Sequence, residues 1–158
     1  MDTLFYQQLR RVCSEISGDT DNTAMIAKVI SAYDLSLLLQ NTARQEGLLA
    51  LEEAIETLNT AEPTQLFLQR QIMLILDGTD PQLVARIGMN VIVSNNYSSY
   101  DGLIILMYYK AVCMIQCGEH PYAMQAFLLS MLPAFIQQAV QERKEENVLS
   151  KVSLLCWC

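Results

Sequence analysis

The chain has 158 residues, of which 52% are apolar and only 17% charged, and its net charge is −7. This composition excludes intrinsic disorder, which needs low hydrophobicity with high charge, and the length suits one domain with a sizeable core. An acidic chain with no Lys/Arg run longer than two residues repels phosphate backbones and anionic lipid, so neither nucleic acid nor a charged membrane surface is expected as a partner.

The opening residues, Met-Asp-Thr-Leu-Phe, lack the basic segment and apolar run of a signal peptide, and Arg10-Arg11 places two charges where the apolar run would lie. Phe5, Leu9, Val12, Cys13 and Ile16 form a first helical stripe, so residues 1–17 are expected to hold an N-terminal helix. Residues 18–22 (Gly-Asp-Thr-Asp-Asn) break the chain and offer N-caps to the next helix. Ile26, Val29, Ile30, Tyr33 and Leu37 carry that helix. Leu48, Leu51, Ile55 and Leu58 continue the helical spacing, with Glu52, Glu53 and Glu56 on the other side. A turn before Pro63 leads into the stripe of Leu68, Ile72, Ile75 and Leu76.

Residues 77–81 (Asp-Gly-Thr-Asp-Pro) are the clearest punctuation. Gly78 suits a left-handed helix end, Asp80 an N-cap and Pro81 the first residue of a helix running to about residue 93. A loop at 95–99 precedes a helix at 102–117, a stop at Gly118, a helix at 121–132, and a last helix from Pro133 toward residue 147 with a tail after it. No alternating run of strand length is present. The fold class is therefore all-α, a single domain over 1–158 with about seven or eight helices and a C-terminal helix and tail at 134–158.

Residues 87–141 contain only three charges, Asp101, Lys110 and Glu119. A surface helix needs a polar face, so this half is either the central layer of the bundle or a partner-facing surface. Leu103, Leu106, Ile115, Phe127 and Leu132 are expected to be buried, and any large exposed apolar patch is expected within 87–141, where it would support a homodimer. The uncharged stretch 121–141 is long enough to span a bilayer, but Pro133 and several Gln and Ser residues divide it.

Three segments resemble the cytoplasmic parts of the flagellar stator subunit MotA, in the MotA/TolQ/ExbB superfamily. They are residues 43–52 (Ala-Arg-Gln-Glu-Gly-Leu-Leu-Ala-Leu-Glu), residues 76–84 (Leu-Asp-Gly-Thr-Asp-Pro-Gln-Leu-Val), and residues 115–121 (Ile-Gln-Cys-Gly-Glu-His-Pro) with 128–133. They occur in the family's order, and the family-like core spans 23–135. In the family, membrane helices separate the second segment from the third, whereas here residues 85–114 suffice. The first two membrane helices also have no counterpart before Ala43. The resemblance therefore implies the cytoplasmic half of a stator without its ion path. Its location would be the bacterial cytoplasm, peripheral to the motor, and its partner a FliG-like rotor protein or other motor components.

The resemblance also implies a partner-binding pair. Arg44 and Glu52 match the family's Arg and Glu that engage charged residues on FliG. Eight residues apart, they would share a face if one helix carried both. The bland alternatives are a solvated charged face, or an Arg44 tied to Asp77 or Asp80 so that the motif builds the fold. Asp77, Gly78, Asp80 and Pro81 are expected to be a structural turn.

Nothing else in the chain points to chemistry. Cys113, Cys117 and His120 form a C-x3-C-x2-H pattern, but a closed zinc site needs a fourth ligand, such as Cys156 or Cys158, and Gly118 and Pro121 end the helix among the three. Buried cysteines are the simpler reading, as are core methionines at 107, 114, 124 and 131. The single histidine leaves few catalytic schemes. The expectation is a non-enzymatic interaction domain with no catalytic residue, cofactor or metal. A generic helical adaptor that kept the fold without a motor role is the alternative.

Overall fold

Caps and glycines set where the helices begin and end. The computed structural model describes residues 2–97 and 99–155, and among them it contains eight α-helices and no strand. Helix α1 (Thr3–Ile16) buries Phe5, Val12 and Ile16 along one stripe. Helix α2 (Thr23–Glu46) starts where the Asn22 side chain accepts the Met25 N–H at 3.3 Å. A 3-10 turn (Leu48–Ala50) leads into short α3 (Leu51–Glu56). The remaining helices are α4 (Pro63–Leu76), α5 (Pro81–Asn95), α6 (Ser99–Gln116), α7 (Pro121–Ser130) and α8 (Ala134–Leu155).

One connection is used twice. At the end of α4, Gly78 has φ +76°; its N–H donates to Ile75 O, and the Thr79 N–H donates to Leu74 O, both at 3.0 Å. Asp80 then accepts the Gln82 N–H at 2.9 Å, and Pro81 opens α5. At the end of α6, Gly118 has φ +69°; its N–H reaches Ile115 O at 3.1 Å and the Glu119 N–H reaches Met114 O at 3.0 Å. His120 Nδ1 accepts the Tyr122 N–H at 3.2 Å, and Pro121 opens α7. In each, a left-handed glycine satisfies the last carbonyls of one helix, and an acceptor side chain with proline after it starts the next. Asp77, Gly78, Asp80 and Pro81 make up the first of these connections.

The charge-poor half supplies the centre of the bundle. Twelve of the eighteen residues of α6 are buried, on every side of the helix, and α1, α2, α4, α5 and α7 all pack against it. A helix that is apolar all round is stable in water only when other helices surround it. Its one cation, Lys110, is 14% exposed; it reaches Asp2 at 3.3 Å and lies 4.5 Å from the centre of the Phe5 ring. Close approach at two points needs glycine. A Cβ on Gly88 would lie 2.8 Å from Tyr109 Cδ2, and one on Gly102 would lie 2.6 Å from Val12 Cγ1. Lys28 links three segments, with Nζ 3.2 Å from Glu62 and 3.3 Å from Asp101.

Leu103, Leu106, Ile115 and Leu132 are buried as expected, whereas Phe127 is only half-buried. It lies on α7, which packs against α2 and α6 and buries only Met124 and Leu128 fully. The exposed apolar residues also depart from expectation. Only Val93 and Tyr122 of them fall within 87–141. The others include Leu48, Leu49 and Met73 near the α2–α3 corner, and Val148, Leu149, Val152 and Leu155 on α8. Within the charge-poor half it is α6 that forms the middle layer and is buried on every side. Helix α8 also runs past residue 147 to Leu155, although Ile136 and Val140 are its only buried residues. Arg143, with Nη2 2.8 Å from one oxygen of Asp34 and Nη1 bonded to the other, ties it to α2.

Candidate functional site

The three segments at 43–52, 76–84 and 115–121 lie far apart in sequence, and tertiary contacts link them in turn. The first and second line one groove. Leu49, Glu52, Ile55 and Glu56 form one wall, and Gln69, Met73, Leu76 and Asp77 the other, around about 370 Å³. The second and third are joined by a hydrogen bond: Gln116 Nε2 donates to Thr79 O at 2.7 Å. The third is also tied to α2, because the buried Gln40 donates through Nε2 to the carbonyl of Glu119.

Arg44 and Glu52 are both exposed. They do not share one helix, and the expectation of a common face two turns apart is corrected. Helix α2 ends at Glu46, and Gly47 takes φ +92° and ψ 165°, a backbone region that is essentially glycine's alone. The 3-10 turn and α3 then restart on a new axis and pack back against α2. Arg44 therefore sits in the last turn of α2, and Glu52 in the first turn of α3. The pair flanks a corner, with Leu49 at its apex 76% exposed.

Neither residue is consumed by the fold. Among the described residues the ion pairs join Arg11 to Glu15, Lys28 to Glu62 and Asp101, Lys110 to Asp2, and Arg143 to Asp34. Arg44 pairs with neither Asp77 nor Asp80. Asp80 is instead the cap of α5, and Asp77 stands exposed on the groove wall. The groove combines apolar Leu49, Ile55, Met73 and Leu76 with carboxylates at Glu52, Glu56 and Asp77, and no basic residue is among the described residues lining it. That arrangement suits a protein surface carrying both cations and apolar side chains.

Elsewhere, Cys113 lies half-buried on α6 and Cys117 is exposed. Burial pushes the Cys113 thiol up to about 11, so it is protonated at neutral pH and carries no thiolate character. The Nδ1 lone pair of His120 is engaged by Tyr122 N–H. Among the described residues no three His, Cys, Asp or Glu side chains converge as metal ligands; Cys156 and Cys158 lie outside those residues. No helix among the described residues is long and apolar enough to cross a membrane; the stretch 121–141 is broken between α7 and α8. No protein-family model, no curated protein sequence and no solved structure matches this chain.

Proposed function

We propose that this chain is a non-enzymatic protein-interaction domain, related to the cytoplasmic region of the flagellar stator, which binds a charged partner through the α2–α3 corner without conducting ions. One observation carries the reading: Arg44 and Glu52 are exposed, and unpaired among the described residues, on either side of a corner fixed by Gly47, next to an acidic groove. Exposed ion pairs contribute only about 0–1 kcal/mol each, so solvated charges such as these suit a contact that forms and breaks quickly. The resemblance of residues 43–52 to the stator motif supplies the partner class, a FliG-like rotor protein or another motor component in the bacterial cytoplasm.

The test is a calorimetric titration of the full chain with a rotor protein of the FliG type, alongside Leu49→Asp. The apex leucine is 76% exposed, so this change is expected to leave folding intact while it removes the apolar side chain that the corner offers to a partner. Saturable binding that Leu49→Asp weakens by about tenfold supports the motor reading. No binding to any motor component, with a folded chain, favours the adaptor without a motor role.

A further inference from the structure

A second groove, sharing no residue with the acidic one, opens between the start of α1, the first half of α5 and the end of α6, and encloses about 480 Å³. That volume is typical of small-molecule sites. Its lining is mostly apolar: Phe5, Ala85, Met89 and the ring of Tyr109 form most of it, with Leu4 at 39% exposure, beside the amides of Gln82 and Gln116, the latter with a buried, unpartnered Oε1. Burial holds the Tyr109 hydroxyl and the Cys113 thiol in their neutral forms.

Only two charged side chains among the described residues line this groove, Asp2 and Arg86. They are not equivalent. Asp2 is already neutralised, since Lys110 Nζ lies 3.3 Å from its carboxylate. Arg86 is exposed and makes no ion pair or side-chain hydrogen bond among the described residues. An apolar slot with one uncommitted guanidinium is complementary to a ligand with an apolar body and one anionic end, because the guanidinium presents paired donors to a carboxylate.

We propose that this groove binds a small aliphatic carboxylate, its chain lying against Phe5, Met89 and Tyr109 and its acid group at Arg86. This goes beyond the partner-binding reading and does not rest on it.

The experiment is isothermal titration of the full chain with decanoate, with decylamine and with decanol, repeated on Arg86→Glu and Ala85→Trp. Decanoate should bind one-to-one and more tightly than decanol by about threefold or more, and decylamine should bind weakest. Arg86→Glu should invert the order, so that the amine outranks the acid. Ala85→Trp should abolish binding of all three by filling the slot, with circular dichroism showing an unchanged fold. No saturable binding of decanoate, equal binding of acid and amine, or a preference unaltered by Arg86→Glu would each overturn the proposal.

Discussion

The carboxylate of Glu15 accepts the backbone N–H of Ser99 at 2.6 Å, so the last turn of α1 caps the first turn of α6. The other oxygen of Glu15 lies 2.6 Å from Arg11 Nη1, and Arg11 Nη2 donates to Tyr97 O at 2.7 Å. The N-terminal helix thereby fixes the entry of the central one. A negative group at a helix N-terminus satisfies an orphan donor and complements the helix dipole.

This contact has a pH signature. The Ser99 N–H, with help from Arg11, holds the Glu15 carboxyl below its ordinary value of 4.5. The folded-state value is the lower one, so the contribution is complete above that ordinary range and is lost as pH falls through the folded-state value. Glu15→Gln is expected to cost about 0.5–1 kcal/mol at neutral pH, because the site is solvent-screened. Urea unfolding at pH 7 and at about pH 3 checks it: the gap between the two chains should narrow on acidification.

The centre of the bundle should be far less forgiving. Leu103→Ala removes a fully buried side chain and is expected to cost about 2–5 kcal/mol. Gly102→Ala forces a Cβ to 2.6 Å from Val12 Cγ1 and 2.9 Å from the Tyr97 carbonyl, for about 1–3 kcal/mol. In a double-mutant cycle, Val12→Ala should recover part of the Gly102→Ala loss, because it removes one of the two clashes and leaves the carbonyl. Denaturant midpoints of the wild type, the two single variants and the double variant decide it.

Much of the fold is legible in the sequence because its signals are local. Asn22, Gly78, Asp80, Pro63 and Pro81 act on the backbone within a few residues, and each marks a helix end in the structure. The break at Gly47 is not legible, because the spacing of Leu48, Leu51 and Ile55 continues helical periodicity across it. Only the backbone angles show that the helix restarts on a new axis. The far half of α8 escapes notice for another reason: it buries nothing, so no core-facing stripe extends to Leu155. The choice between a central layer and a partner-facing surface for 87–141 needs tertiary contacts, since both demand few charges. The apolar groove beside Arg86 is invisible in sequence, because residues near 2–5, 81–89 and 109–117 build it together.

Gly47 is the hinge of the candidate site, and Gly47→Ala should show it. At φ +92° and ψ 165° an L side chain is strained by about 1–3 kcal/mol. There is open space around the missing Cβ, so the loss would come from the backbone and not from a clash. Hydrogen exchange should locate the loosening at residues 44–52, with amides in α6 unchanged relative to the global stability loss.

Helix α8 should separate into an anchored and an unanchored half. Ile136 is fully buried and Leu149 is 68% exposed. Ile136→Ala is expected to cost about 2–5 kcal/mol, whereas Leu149→Ala should stay within about 0.5 kcal/mol. Thermal unfolding of both variants at equal concentration is the check. A large loss at Leu149 would mean that a second molecule covers that surface.

The most direct measurement is charge reversal at the corner. Arg44→Glu and Glu52→Lys are made singly and together, and each chain is titrated against a FliG-type rotor protein at low and high salt while its melting temperature is recorded. If the exposed, unpaired charges belong to a partner, each reversal weakens binding, more strongly at low salt than at high salt, and the melting temperature hardly moves. A fall in melting temperature of about 2–4 °C, the shift expected for about 1 kcal/mol in a domain of this size, with binding lost only as the chain unfolds, would assign both residues to the fold and contradict a binding role for the corner.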